Sequence, residues 1–139
     1  MNLISKTLAI FVLTTTLLCS CDIYKFELDN IVRAEQEKCP LKINDGMMQT
    51  QVSLTDTCVL FVIEYDETLY TPDYVESKAN SIKEAMLSNI NVDNADMRNY
   101  INELADNAKH CQLPLIWTYE GSASHKKTIV KIEPSEIKN

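Results

Sequence analysis

Few residues in this chain could do chemistry. Its 139 residues hold five cysteines, two histidines and one dense acidic run, Glu64-Tyr65-Asp66-Glu67. A thiol nucleophile at Cys58 needs a base beside it and an electropositive pocket, and only His110 and His125 can supply the base. Ser53 and the carboxylates of the acidic run are the other groups a small hydrolase would use. A zinc site from Cys39, Cys58, Cys111 and His110 lacks any C-x-x-C or H-x-x-x-H spacing. The acidic run lacks the alternating Asp/Asn loop of a calcium-binding hand. Motifs of the form G-x-S-x-G, G-x-x-x-x-G-K, H-E-x-x-H and G-x-G-x-x-G are also missing, so no catalytic set, metal or cofactor is implied. Two classes of function remain. A non-enzymatic binding module predicts exposed aromatic side chains, with Tyr65, Tyr70, Tyr74 and Trp117 as candidates. A small hydrolytic or thiol-dependent enzyme predicts a cleft joining His110 or His125 to Cys58, Ser53 or the acids of residues 64–67.

The N-terminus specifies an address. Residues Met1 to Lys6 carry one positive charge, and Leu8 to Leu18 form an apolar run of 11 residues. As a helix that run is about 16 Å long, against roughly 30 Å for a hydrocarbon core, so it suits a signal peptide better than a transmembrane span. It ends in Leu18-Cys19-Ser20-Cys21, which resembles the lipobox of bacterial lipoproteins. That resemblance implies cleavage after Ser20, a diacylglycerol on the Cys21 thiol and a membrane anchor for residues 21–139. Cys19 leaves with the leader. Asp22 resembles an inner-membrane retention signal of enterobacteria, whereas Cys21 to Glu27 loosely resembles a surface-export signal of Bacteroidota. The expected place is the cell envelope, with the outer membrane favoured and the leaflet open.

Lys6 is the only charge in the leader, so the 13 basic residues fall to 12 against 20 acidic ones, and the mature chain carries −8. The longest basic run is Lys126-Lys127, too little to hold a phosphate backbone, which excludes nucleic acid as a partner. Residues 21–139 suffice for one domain. Leu28, Ile31, Val32 and Ala34 recur at helical spacing before Cys39-Pro40, predicting a short N-terminal helix that also serves as tether. After Asn44-Asp45-Gly46, a turn signature, Met48, Thr50, Val52 and Leu54 alternate with polar residues, and Cys58 to Ile63 is apolar throughout. These predict a hairpin. Thr71-Pro72-Asp73 predicts a helix start, with apolar positions continuing to about Ser88. A second helix follows from Met97 to Cys111, then a second hairpin from Leu115-Tyr119 and Thr128-Ile132. The expectation is an α+β domain in the order α-β-β-α-α-β-β: an antiparallel sheet of about four strands with helices on one face.

Lys38-Cys39-Pro40-Leu41, Ile116-Trp117-Thr118-Tyr119-Glu120-Gly121 and Val130-Lys131-Ile132-Glu133-Pro134-Ser135-Glu136 together resemble a group of small uncharacterised Bacteroidota lipoproteins. The resemblance implies the address and the fold, and no activity; Cys58 departs from the group's pattern. With Cys21 acylated, Cys39, Cys58 and Cys111 remain. A Cys39–Cys111 disulfide is the favoured pairing, since both lie at helix ends while Cys58 lies in a strand. A pair using Cys58, or no pair, stays open. Closing that loop would restrict the unfolded chain by roughly 4 kcal/mol.

Overall fold

The structure is a computed structural model that describes residues 22–97 and 99–138. The expected leader and Cys21 lie outside the described residues. Helix α1 covers residues 22–37. It is followed by β1 (Leu41–Asn44), β2 (Met47–Leu54) and β3 (Val59–Tyr65), then α2 (Pro72–Ser77), α3 (Ala79–Ile90) and α4 (Tyr100–His110), and finally β4 (Leu115–Gly121) and β5 (Lys127–Ile132). Single 3-10 turns stand at Ala95–Met97 and Pro134–Glu136.

The α+β expectation holds, but the sheet is not four-stranded and antiparallel. It has five strands in the order β1-β2-β3-β4-β5. Neighbours run antiparallel except β3 and β4, which are parallel from Val59↔Leu115 to Tyr65↔Gly121. Both expected hairpins form, and the difference lies in how they join. The helices return the chain to the end of the sheet where β3 began, and such a crossover sets the next strand parallel. The fifth strand is Leu41–Asn44, turned back onto β2 by Gly46 at φ +80°, a backbone angle that favours glycine.

One face of the sheet is covered by helices. Along β3 and β4, Val59, Phe61, Ile63 and Tyr65, then Leu115, Trp117 and Tyr119, are buried, with Phe61 stacked on Trp117 at 4.5 Å between ring centroids. Leu28 and Val32 of α1, Leu104, Ala105 and Ala108 of α4, and Val130 and Ile132 of β5 complete this core. On β2 the pairing register shifts between Gln49 and Gln51, a bulge that changes which side faces in. Val52 is buried as its alternation predicts, but Met48 and Thr50 face solvent and Gln49 turns inward.

The Thr71-Pro72-Asp73 cap forms as its sequence signal predicts, while the second long helix starts at Tyr100 after a 3-10 turn at Ala95–Met97, not at Met97. The Thr71 hydroxyl accepts from Tyr74 N–H at 3.2 Å and Pro72 opens α2. The single helix expected from there to Ser88 is two, separated at Lys78. At α4, Asn99 accepts from Ile101 N–H at 3.1 Å while the Asn102 carbonyl accepts from Asn99 N–H at 2.9 Å, a reciprocal cap. Helices α1 and α4 lie antiparallel. Tyr24 at the start of α1 stacks on His110 at the end of α4, with ring centroids 4.0 Å apart, and the Lys38 ammonium after α1 sits 5.5 Å from the ring centre of Tyr100 at the start of α4. The C-terminal segment is held down: Ile137 is buried, its carbonyl accepts from Lys109, and Asn91 bonds both the Glu136 carbonyl (3.1 Å) and Lys138 N–H (2.8 Å).

The antiparallel helix pair also corrects the expected disulfide. No disulfide joins any two of Cys39, Cys58 and Cys111. Cys39 and Cys111 both follow helix C-termini, as read from the sequence, but those termini lie at opposite ends of an antiparallel pair. Cys39 sits beside Tyr100, and the length of α4, about 16 Å at 1.5 Å per residue, separates that position from Cys111; a bridge needs Cα atoms within about 7 Å.

Candidate binding groove

On the same helix-covered face, between β1 and helices α3 and α4, a groove of about 500 Å³ opens. Ile63, Trp117, Tyr119 and Gln49 make the floor. Leu41 and Ile43 of β1 form one lip, and Met86 and Ile90 of α3 with Tyr100 and Ile101 of α4 form the other side. Strand alternation puts the floor residues on one face; the bulge after Gln49 adds the amide, whose Nε2 lies 4.0 Å from Cys39 Sγ. The rim is apolar and open, with Leu41 39%, Ile43 47% and Tyr100 41% exposed. Burial pushes the Tyr119 hydroxyl up to about 12. Tyr100 is also raised, first by burial and then by the Glu35 carboxylate and Cys39. Both phenols therefore remain protonated at neutral pH and can donate hydrogen bonds to a ligand's carbonyls. An apolar trough with a few polar groups suits a side-chain-rich segment of another molecule.

The four aromatic candidates occupy different surroundings. Trp117 is buried in the groove floor, and Tyr65 is buried with its hydroxyl lacking a hydrogen-bond partner. Tyr70 packs against the core and donates from its hydroxyl to the Asp45 carbonyl at 3.0 Å. Tyr74 is half exposed, with the Lys78 ammonium 5.5 Å from its ring centre. The groove-rim residues Leu41, Ile43, Tyr100 and Ile101 were not candidates from sequence. They come from separate elements, and no spacing in the chain links them.

Of the residues of the enzyme reading, His125 and Glu67 come near one another, while His110, Cys58 and Ser53 are engaged elsewhere. His110 is engaged face to face with Tyr24. Cys58 Sγ lies 3.4 Å from Thr55 Oγ1, within its own turn, and the Ser53 hydroxyl receives the Gln51 amide at 3.2 Å. His125 is near the acids, with Nδ1 3.1 Å from Glu120. The adjacent Glu67 carboxylate, however, accepts from Ala123 N–H (2.9 Å), Ser124 N–H (2.8 Å) and the Ser124 hydroxyl. The Ser124 hydroxyl bond, then those backbone amides and the His125 charge, hold its pKa below the usual carboxylate range against some desolvation. A carboxylate held ionised in this way clamps the β4–β5 turn and is a poor proton donor. Among the described residues, no three His, Cys, Asp or Glu side chains gather in a metal-ligating arrangement.

The clamp predicts a pH effect. Its folded pKa lies below the ordinary value near 4.5, so its stabilisation is present above that value and is lost as pH falls through the lower folded one. Thermal melts should show Glu67→Gln less stable than the parent at pH 7, with the gap closing in acid. A gap that stays constant from pH 7 to pH 3 would refute the charged clamp.

No family model and no curated protein sequence matches the chain. Among solved structures, a Pseudomonas aeruginosa protein provisionally classed as secreted superposes with a TM-score of 0.56 at 9% identity, covering 81% of this chain and 95% of that one. The pilotin EpsS from the Vibrio vulnificus type 2 secretion system superposes with a TM-score of 0.57 at 8% identity, covering 85% and 94%. At such identities the likeness establishes a shared fold.

Proposed function

We propose that this chain is an exported, lipid-anchored envelope protein of bacteria, and that it is a non-enzymatic module holding a segment of a partner protein in the groove between β1 and helices α3 and α4. The groove carries this reading: an aromatic and aliphatic floor behind a rim of exposed Leu41, Ile43 and Tyr100. Large side chains left open around a preformed trough are where binding energy concentrates in protein recognition. The lipobox-like Leu18-Cys19-Ser20-Cys21 supports the anchor, and the fold shared with a pilotin, itself a secretion-system component, supports a protein partner. The outer membrane is the favoured address, as read from the sequence.

A photo-reactive benzoylphenylalanine placed at Ile43 or at Tyr100, on opposite sides of the groove, tests this in the native host. Both positions should yield one adduct of the same mass, a probe at exposed Glu76 should not, and Leu41→Glu on the lip should abolish the adduct. Adducts that differ between the two rim positions, or that survive Leu41→Glu, would overturn the reading.

A further inference from the structure

The first turn of α1 carries two large apolar side chains that the fold does not use. Ile23 is 61% exposed and Phe26 is 65% exposed. They stand three residues apart on one side of the helix, while Leu28 and Val32 turn into the core. Residue 22 is already helical, so no spacer separates Cys21 from the folded domain. Ile23 is two residues of chain from Cys21, at most about 7 Å, and Phe26 stands only about 6 Å along the helix from Asp22. Both side chains therefore lie within the roughly 5–10 Å depth over which interfacial helices bury their apolar faces.

We propose that the first turn of α1 is a bilayer-docking surface, with Ile23 and Phe26 inserted among the lipids beside the acylated Cys21. The proposal rests on the lipid anchor inferred above. Continuity with that anchor selects lipid as the occupant, because a surface within two to five residues of an acylated cysteine faces the bilayer before it faces anything else. The surrounding charges argue for apolar insertion over attraction to anionic headgroups. Asp22, Glu27 and Asp29 accompany only Lys25 and Arg33, and the Arg33 guanidinium is engaged by Asp29 at 2.9 Å. Docking of this turn would fix the domain's orientation, since a lipid on one residue leaves the domain free to swivel and two inserted side chains do not. The groove rim at Tyr100 lies at the other end of α1, beside Lys38. That is about 24 Å along the helix.

The test uses the lipidated full-length product reconstituted in phosphatidylcholine vesicles, with and without bromine on the acyl chains. Phe26→Trp and Ile23→Trp each add a reporter, Glu37→Trp at the exposed far end of α1 serves as control, and the parent protein gives the background from buried Trp117. Bromination should remove about half of the added emission at positions 23 and 26, with a blue-shifted maximum, and leave position 37 unchanged, as expected for side chains at interfacial depth. Solvent-like, unquenched emission at positions 23 and 26 from protein that floats with the vesicles overturns the docking surface and leaves the anchor standing. Protein that does not float with the vesicles overturns the anchor, and the docking surface falls with it.

Discussion

Replacement of Cys21 by serine is expected to move the protein from the membrane pellet to the soluble fraction almost completely. A serine hydroxyl cannot form the thioether that would carry the diacylglycerol. Little else remains to hold the chain. Among the described residues no helix is long and apolar enough to cross a membrane, and the net acidic surface disfavours anionic lipid. Each buried methylene contributes about 0.8 kcal/mol, so one acyl chain binds only marginally while two or three bind firmly. Ile23 and Phe26 alone add far less than an acyl chain. Fractionation by ultracentrifugation, with a tag appended after Asn139, measures the effect; the tag must extend the C-terminus, because buried Ile137 and its bonds to Lys109 and Asn91 belong to the fold. A cleaved Cys21→Ser form that still pellets with membranes would refute the lipoprotein assignment.

Asn102→Ala should be the most destabilising change of a polar residue, by roughly 3–5 kcal/mol out of the 5–15 kcal/mol typical of a domain. The side chain is 1% exposed and makes three hydrogen bonds. Its Nδ2 donates to the Asn89 carbonyl at 2.8 Å and the Ile90 carbonyl at 2.6 Å, both at the C-terminal end of α3, while its Oδ1 accepts from Asn99 N–H. One residue thus satisfies the last turn of one helix and the first of the next, where backbone groups have no helical partner. Alanine would remove the partner of two carbonyls and an amide, each costing about 1–3 kcal/mol where water does not replace it. Urea unfolding followed by circular dichroism reads the difference. Asn102→Asp, which keeps the acceptor but removes the donor, should fall at least as far as alanine because it faces two carbonyls with a carboxylate. A change under about 1 kcal/mol for alanine would show that the junction between α3 and α4 stands without this network.

The local elements were legible because their signals are local. The helical spacing before Cys39-Pro40, the Thr71-Pro72 cap and the strand segment Leu115–Tyr119 each correspond to an element of the structure. What escaped depends on partners distant in sequence. Period two tells which face of a strand is buried but not which strand lies beside it, so β3 and β4 were not recognisable as parallel neighbours. The bulge after Gln49 has no glycine or proline to mark it, and a shift of one residue reverses every assignment on that half of β2. Helical spacing likewise placed Cys39 and Cys111 at helix ends without showing that the two helices run in opposite directions. The groove was invisible for the same reason: its floor comes from three strands and its rim from three further elements.

The parallel pairing of β3 with β4 also bears on when the fold can close. About 50 residues separate the end of β3 from the start of β4, and that loop must be gathered before the central pair forms. Until Leu115–Gly121 has been made, Val59, Phe61 and Ile63 have no neighbour on that side and the helices have no complete sheet to cover. The nascent chain is therefore slow to lock into a compact shape. In the export proposed above, delayed closure would keep the chain transportable through a membrane pore, with its tightest contacts completed on the far side.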